Sequence, residues 1–339
     1  MTADGLPEGV TFTATADGSQ TDAGSSESTV ASYKILDAGE KDVTAKFAGI
    51  KTEKGTLTVN PAAATVTTGS ASREYDGKEL TNSEAAISGL TDSDKALVTV
   101  TATGKITEVG TADNTYSINW GTAKEGNYIV SDSKGSLEVT QNTTEITFKA
   151  PSASKTYDGT ALKPGPVTAA GLPDSYTFTA TADGSQTDAG SSESIVASYK
   201  ILDAGEKDVT DNFASIKTEK GTLTVNKAAA TVTTGSASKE YDGKELTNSE
   251  ASISGPTDAD KALVTVTATG KITEVGTADN TYSINWGTAK EGNYTVSDSK
   301  GSLDVTQNTT EITFKAPSAS KTYDGTALKP GAVDRESVV

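Results

Sequence analysis

The sequence contains no cysteine and no histidine, and its single methionine is Met1. Without cysteine no disulfide can hold the fold, and without either residue the usual catalytic triads and most zinc sites cannot be assembled. Aromatic residues make up only 6% of the chain, and hydrophobic residues make up 34%. This composition suits several small modules with thin apolar cores better than one large core. We therefore predict that the protein is not an enzyme and that it uses no cofactor.

The sequence also lacks a signal peptide, a sorting motif and any apolar run of membrane length. If the parent protein is exported, we expect this chain to be an internal part of it. Acidic residues outnumber basic ones by 46 to 29, which gives a formal net charge of −17. Such a surface is repelled by the phosphates of nucleic acids and of anionic membranes. The sequence therefore predicts no nucleic-acid partner and no membrane insertion, and we interpret the charge as a solubility feature.

A long internal repeat is the strongest pattern in the chain. Residues 5–167 recur as residues 171–333, with fifteen differences in 163 positions and a constant offset of 166 residues. Each period contains two diverged copies of a smaller unit, which we call types A and B. The predicted modules are a truncated type A module A1 (1–60), a type B module B1 (61–141), a type A module A2 (142–226), a type B module B2 (227–307) and the N-terminal fragment of a further type A module, A3 (308–339). Repetition at a fixed period is typical of modular arrays.

The periodicity within the modules is that of strands. TFTATA from Thr177 and LVTVTAT from Leu263 alternate apolar and hydroxyl side chains, and TYSINW from Thr281 follows the same pattern. We predict about six or seven short strands per module, folded as a small sandwich-like or β-grasp-like domain. No convincing helix is visible; the segments near Glu79 and at Lys124 could hold a single turn at most. The links between modules are short, which predicts modules stacked end to end as an elongated, semi-rigid rod.

Three sequence motifs carry a resemblance to a known family. The modules open with Lys-x-Tyr-Asp-Gly or its Arg variant, continue to an Asn-aromatic pair and close with Gly-x-Leu-x-Val. The opening motif occurs four times, at Tyr75, Tyr157, Tyr241 and Tyr323. These motifs resemble the YDG and MBG repeat domains of bacterial surface adhesins, and the resemblance covers the whole chain. The sequence of A1 departs from the Asn-aromatic motif, because Lys46 rather than asparagine precedes Phe47. The resemblance implies all-β modules of a large protein at the cell surface or cell wall, without catalytic residues.

Some residues could form a site, and each has a simpler structural interpretation. Asp-Gly is typical of a turn, with the preceding tyrosine covering the edge of the core. Trp120 and Trp286 could form a sugar-stacking platform with nearby tyrosines, although rings this rare more often anchor a small core. The tyrosines considered with them are Tyr116, Tyr128, Tyr282 and Tyr294.

The acidic clusters TDSDKA and TDADKA could bind calcium through Asp92, Asp94, Asp258 and Asp260. The twelve-residue calcium loop pattern is missing, so we interpret these segments as solvated acidic loops. Calcium at module junctions stays open at this stage. A lysine could also condense with asparagine or aspartate beside a carboxyl group, giving an isopeptide cross-link. We assign no catalytic, cofactor-binding or metal-binding residue.

The function favoured by the sequence is a stalk that projects a distal binding domain from the cell wall. The alternative is that the modules themselves bind host glycan or protein through weak contacts multiplied along the array. A third prediction concerns the chain ends, because A3 supplies the opening strands that A1 lacks. One molecule's end could complete another's by strand addition, giving head-to-tail self-association, while three stacked modules would separate the two ends of one chain.

Overall fold

A computed structural model describes residues 1–330, and the last nine residues of A3 lie outside the described residues. Strands make up 46% of the chain and helices 6%, so the predicted all-β class is confirmed. The described residues form two compact units. Unit 1 comprises Met1–Lys149, Val167–Thr181 and Val196–Glu219, and unit 2 comprises Ala150–Pro166, Ala182–Ile195 and the chain from Lys220 onward. Residues of A2 contribute to both units, and the module boundaries stay a prediction.

Unit 1 begins with a three-stranded sheet formed by A1. Its strands are β1 (Thr11–Asp17), β2 (Gly24–Leu36) and β3 (Gly55–Val59). The order is β1-β2-β3, and both pairings are antiparallel. Among the described residues, β3 therefore has a strand neighbour on one side only.

B1 lies wholly in unit 1 and contains eight strands, one more than the upper end of the prediction. They are β4 (Ala62–Thr68), β5 (Ala71–Glu74), β6 (Ala85–Ser88), β7 (Thr99–Ala102), β8 (Gly110–Asp113), β9 (Tyr116–Asn119), β10 (Tyr128–Ser133) and β11 (Ser136–Thr140). The sheets have the orders β10-β4-β6, β5-β11-β8 and β7-β9. The two opening strands, β4 and β5, pair in parallel with the two closing strands, β10 and β11. The two ends of this segment are therefore hydrogen-bonded to each other.

A2 contains seven strands. They are β12 (Ile146–Lys149), β13 (Ala153–Thr156), β14 (Thr168–Ala170), β15 (Thr177–Asp183), β16 (Gly190–Leu202), β17 (Ile216–Glu219) and β18 (Gly221–Asn226). The unit 1 part contains the sheet β14-β12-β17, in which β12 and β17 are parallel. In the unit 2 part, β18 pairs in parallel with β13 and antiparallel with the start of β16. Here too, opening strands pair with closing strands.

B2 lies wholly in unit 2 and repeats the arrangement of B1. Its strands are β19 (Ala228–Thr234), β20 (Ala237–Glu240), β21 (Ala251–Ser254), β22 (Thr265–Ala268), β23 (Gly276–Asp279), β24 (Tyr282–Asn285), β25 (Tyr294–Ser299) and β26 (Ser302–Thr306). The sheets have the orders β21-β19-β25, β20-β26-β23 and β22-β24. The predicted strand at Thr177 is confirmed, while those at Leu263 and Thr281 are each shorter than predicted.

The period-two pattern builds the cores of both units. In β19, Ala230 and Val232 are at most 1% exposed, while Thr231 on the other face bonds Ser297 of β25 at 3.0 Å. Leu303 of β26 is fully buried, as is its equivalent Leu137 in unit 1. Each of these buried valine and leucine side chains contributes about 1.5–3 kcal/mol by leaving water. Threonine suits the outer face because it is β-branched and still satisfies its hydroxyl.

The acidic segments are helical turns rather than the solvated loops predicted for them. α1 (Asp92–Lys95) and α2 (Asp258–Lys261) are single turns, and the Oγ1 of Thr91 or Thr257 accepts a hydrogen bond from the backbone N–H of Asp94 or Asp260. The missed signal is the N-terminal Thr-x-x-Asp pattern, which caps a helix start. The turn predicted at Lys124 is present as a 3-10 turn at Glu125–Asn127. Within residues 1–330, no helix has the length and apolarity needed to cross a membrane.

Candidate functional site at the module junctions

The Tyr-Asp-Gly motif forms a tight turn, as its sequence predicts. Gly77 and Gly159 have φ of 75° and 79°, a backbone conformation that glycine adopts without steric cost. Asp76 Oδ1 accepts a hydrogen bond from the backbone N–H of Lys78 at 3.0 Å, which closes the turn. A Cβ at position 77 would lie 2.9 Å from the hydroxyl oxygen of Tyr176. Position 77 therefore also requires glycine because a larger residue would clash with the Tyr176 side chain of A2.

The tyrosine of this motif packs against the next repeat segment. In unit 1, Tyr75 of B1 is 2% exposed, and its ring lies 6.1 Å from that of Tyr176 and 5.9 Å from that of Phe213. Tyr176 and Phe213 belong to A2 and meet edge to face at 5.2 Å. Burial, and then the nearby Tyr75, raise the pKa of Tyr176 to about 12. Tyr75 is thus buried, in agreement with a tyrosine that covers the edge of a core, and its ring in addition joins two segments.

A carboxylate of B1 binds two side chains of A2 at the same junction. Glu108 Oε1 accepts a hydrogen bond from Lys207 Nζ at 2.5 Å, and Oε2 accepts one from Asn212 Nδ2 at 2.8 Å. These contacts, with Lys207 the larger, hold the pKa of Glu108 below its ordinary value. The same carboxylate raises the pKa of Lys207. We call this arrangement the acid–lysine–asparagine clamp.

The same clamp joins a type A segment to the following type B segment. In unit 2, Asp188 of A2 accepts hydrogen bonds from Lys290 Nζ at 2.5 Å and from Asn293 Nδ2 at 3.0 Å, both in B2. The backbone N–H of Ala189 donates to Asn293 Oδ1 at 2.7 Å. In unit 1, Asp22, Ala23, Lys124 and Asn127 make the equivalent contacts between A1 and B1. The lysine contact, and then the asparagine contact, lower the pKa of both aspartates.

A tyrosine–carboxylate cluster completes the junction in unit 2. Tyr157 of A2 donates to Asp260 Oδ2 at 3.0 Å, and Tyr294 of B2 donates to the same oxygen at 2.6 Å. The two rings meet edge to face at 5.5 Å. Burial is the main cause that raises the pKa of each tyrosine. Asp260 is only 9% exposed, so the prediction of a solvated acidic side chain is wrong for this residue.

Local structure explains why the Asn-aromatic pair takes part. The asparagine is the last residue of a 3-10 turn, at Glu125–Asn127, Thr210–Asn212 and Glu291–Asn293. In the type B segments the aromatic residue, Tyr128 or Tyr294, then begins a strand and points into the core. The turn leaves the asparagine amide directed at the preceding segment. The sequence showed the pair as a motif but carried no signal of its partner, which lies 104 residues earlier.

The tryptophans belong to the cores rather than to a platform. Trp120 stacks on Tyr128 at 5.6 Å, and Trp286 stacks on Tyr294 at 5.3 Å. Both tryptophans are half-buried and pack against the apolar core of their segment. The hydroxyls of Tyr116 and Tyr282 bind Asp132 and Asp298, each at 2.9 Å. The structure therefore agrees with the interpretation of the tryptophans as core anchors.

The acidic clusters do not gather their carboxylates around one point. The Asp92 side chain is 99% exposed and pairs with Lys95 at 3.0 Å. Asp94 instead accepts a hydrogen bond from Tyr128 at 2.6 Å. Across residues 1–330, no group of three or more acidic residues has the geometry to hold a metal ion.

The clamps bring lysine, carboxylate and asparagine together, as an isopeptide cross-link requires. The lysine side chains are 58–68% exposed, however, and Lys207 has a raised pKa. A protonated lysine has no lone pair with which to attack an amide carbon. The geometry therefore favours an ion pair over condensation.

No family model and no curated protein matches this chain. Among solved structures, the Bacillus anthracis TIE protein is similar with 11% sequence identity, and the match covers 90% of this chain. The TM-score is 0.16, a value at which the likeness carries no argument about fold or function. The chain spans about 65% of the length of that protein.

Proposed function

We propose that this chain is a spacer region of a bacterial cell-surface adhesin, which holds a binding domain away from the cell wall. The observation that carries the proposal is that residues of the repeat motifs contact the neighbouring segment. The Tyr-Asp-Gly tyrosine and the asparagine of the Asn-aromatic pair both contact an adjacent segment, at Tyr75, Tyr157, Asn127, Asn212 and Asn293. Motif residues that join neighbours are what a spacer needs, because its function is to keep a separation.

The junction chemistry supports a semi-rigid array of small sandwich-like or β-grasp-like modules. Each junction combines an ion pair and an asparagine hydrogen bond, and two junctions add aromatic contacts. Short links without glycine-rich stretches, such as that at Asn60, leave little freedom for bending. Contacts of both kinds resist rotation of one segment against the next.

The alternative, glycan or protein binding by the modules, has less support. Sugar recognition relies on exposed rings, and both tryptophans stack inside their segments. An open cleft of about 290 Å³ lies in B1, and an equivalent one of about 280 Å³ lies in B2. The clefts are lined by residues such as Asn82, Gly104 and Lys105, without an aromatic ring. Neither cleft offers the apolar lining that ligand pockets commonly have.

Small-angle X-ray scattering of the full chain tests the proposal. We expect an elongated particle with limited flexibility at a dilution where the chain is monomeric. The double variant Tyr75→Ala/Glu108→Ala should scatter as a more flexible particle while its circular dichroism stays that of a β protein. The matched control, Tyr241→Ala/Glu274→Ala, changes the equivalent residues of B2 and should leave the profile unchanged. A compact particle, or equal profiles for the two double variants, would contradict the spacer function.

A glycan array probed with the full chain addresses the alternative. We expect no saturable binding. Saturable binding that a Trp120→Ala/Trp286→Ala variant loses, with its fold intact by circular dichroism, would favour the binding function instead.

A further inference from the structure

The strands through which the chain enters and leaves B2 lie side by side and run in the same direction. β19 pairs in parallel with β25 through six residue pairs that begin at Ala228 and Tyr294. β20 pairs in parallel with β26 through four residue pairs that begin at Ala237 and Leu303. Hydrogen bonds across both pairings join residues 66 positions apart, so the pairings share one register. Together they form a single parallel ladder, which we call the terminal ladder.

The two chains of the terminal ladder pass from one sheet to the other at Gly235 and Gly301. A Cβ at position 301 would clash with the carbonyl oxygen of Gly235, so the two backbones touch at this crossing. Thr234 Oγ1 donates to the carbonyl of Asn280 at 2.7 Å and accepts from the backbone N–H of Gly301 at 2.9 Å. Asn280 is fully buried, and its Nδ2 donates to the carbonyl of Gly235 at 2.9 Å. Bonds buried in this way cannot be exchanged for bonds to water while the crossing stays closed.

The terminal ladder is also joined to the rest of B2. β19 lies between β25 and β21, and β26 lies between β20 and β23. Val232 of β19 and Leu303 of β26 are fully buried. Neither strand can therefore leave its sheet without breaking pairings on both sides and exposing core side chains to water.

B1 contains the same ladder. Its pairings β4–β10 and β5–β11 are parallel, and hydrogen bonds across them again join residues 66 positions apart. Thr68 contacts Asn114 and Gly135 as Thr234 contacts Asn280 and Gly301. The arrangement therefore occurs once in each unit.

The parallel direction decides how the ladder responds to a pull on the chain. The chain enters B2 at the N-terminal end of β19 and leaves it at the C-terminal end of β26. In a parallel ladder these two points lie at opposite ends. Tension along the backbone therefore slides the two halves past each other along the strand axis, so that all pairs share the load and break together. If both points lay at the same end, the pairs would break one after another.

We propose that each type B segment resists tension along the chain, and that the terminal ladder, fastened at its crossing, is the element that resists it. The inference rests on the proposed spacer function, because a spacer between the cell wall and a bound surface is stretched when the two are pulled apart. The chain has no cysteine, so no disulfide can take the tension. Survival under force depends on the rate of unfolding, which is slow when many bonds must break in one step.

Single-molecule force spectroscopy on the full chain tests the proposal by pulling in two directions. Because the chain has no cysteine, two introduced cysteines bind the handles specifically. Lys227→Cys/Gln307→Cys places the handles at the two opposite ends of the terminal ladder. Lys244→Cys/Gln307→Cys places both handles at the C-terminal end, where β20 and β26 end. All three positions are exposed, so both variants should keep the fold.

We expect the first pair of handles to require at least about twofold more force at the same loading rate, because the whole ladder must break together. The length released, about 3.3–3.6 Å for each residue between the handles, identifies the unfolding of B2 in each experiment.

The crossing is tested with the same handles at positions 227 and 307. Thr234→Val removes the hydroxyl that joins Asn280 to Gly301, so the unfolding force should fall. Thr233→Val is the matched control, because Thr233 lies in the same strand but is exposed, and its force should equal that of the parent. Circular dichroism of both variants checks that they are folded before the pull.

Two outcomes would overturn the proposal. Equal forces for the two pairs of handles would show that the ladder does not resist tension as a unit. Equal forces for Thr234→Val and Thr233→Val would show that the crossing does not fasten it. Either result would leave the spacer function standing if the scattering profile is elongated, whereas a compact particle would contradict the spacer function and leave the measured forces unchanged.

Discussion

Tyr75 in unit 1 and Tyr241 in unit 2 occupy equivalent positions in nearly the same sequence, yet one is 2% exposed and the other 37%. Tyr75 is followed in the chain by the complete segment A2, which supplies Tyr176 and Phe213. Tyr241 is followed by a segment for which only the opening residues are described. The difference teaches that the following segment, rather than the tyrosine's own segment, buries the ring.

The comparison extends to the other side of the repeat. Asp260 accepts hydrogen bonds from Tyr157 and Tyr294, whereas its equivalent Asp94 accepts one from Tyr128. The additional hydrogen bond to Asp260 comes from Tyr157, which belongs to the preceding Tyr-Asp-Gly motif. Equivalent residues of the two units can therefore be compared as matched pairs. Mutating each member in turn separates the stability that a neighbouring segment contributes from the stability of the local fold.

The largest difference is expected for Phe148 and Phe314. Phe148→Ala should destabilise A2 by about 3–5 kcal/mol, because it removes a fully buried ring. Phe314→Ala should leave the monomer's stability within about 0.5 kcal/mol, because that ring is 93% exposed. Hydrogen exchange of the β12 and β17 amides in dilute protein measures the loss of stability in Phe148→Ala. Thermal unfolding measures the loss in Phe314→Ala. Equal effects would mean that the two rings have the same surroundings.

The tyrosine pair should show the next largest difference. Tyr75→Ala should raise exchange at the 211–214 backbone, with a cost of about 2–4 kcal/mol in local opening free energy. Tyr241→Ala should cost less than about 1 kcal/mol, because its ring is 37% exposed. Hydrogen exchange followed by mass spectrometry measures both. A Tyr75→Ala variant with unchanged exchange at 211–214 would show that the ring does not hold the junction.

A smaller effect is expected at the tyrosine–carboxylate cluster. Asp260→Ala leaves two part-buried tyrosine hydroxyls without their acceptor, at a cost of about 1–3 kcal/mol. Asp94→Ala leaves one such hydroxyl, so roughly half that cost is expected. Thermal unfolding of the two variants tests the order, and a larger loss for Asp94→Ala would contradict it.

The smallest effect should come from the clamp. Glu108→Gln removes an ion pair whose side chains are about half exposed, so it should shift the unfolding temperature less than the three preceding substitutions do. The shift should vanish in high salt, which screens the pair. The lowered pKa of Glu108 means that its stabilisation is present above the ordinary value of 4.5 and is lost as pH falls through the lowered value. Glu274→Gln should show neither the salt nor the pH dependence. Thermal unfolding between pH 3 and 7 compares the two.

The strand pattern could be predicted from the sequence, whereas the junctions could not. Alternation in TFTATA at Thr177 reports which face of a strand is buried, because that information is local. The partners of Glu108 lie 99 and 104 residues away, and their approach depends on how whole segments fold. The one local hint was Lys46, which breaks the Asn-aromatic pattern in A1.

Hydroxyl-radical footprinting of Tyr75 and Tyr241 tests the central claim most directly. It should use protein dilute enough to be monomeric. Digestion after lysine separates the two positions, because Arg73 replaces Lys239 and keeps Tyr75 in a longer peptide. The account predicts that Tyr241 is oxidised several-fold faster than Tyr75, and that Tyr176→Ala/Phe213→Ala brings Tyr75 to the rate of Tyr241. Equal rates in the parent chain, or a Tyr75 that stays protected in that double variant, would contradict burial by the following segment.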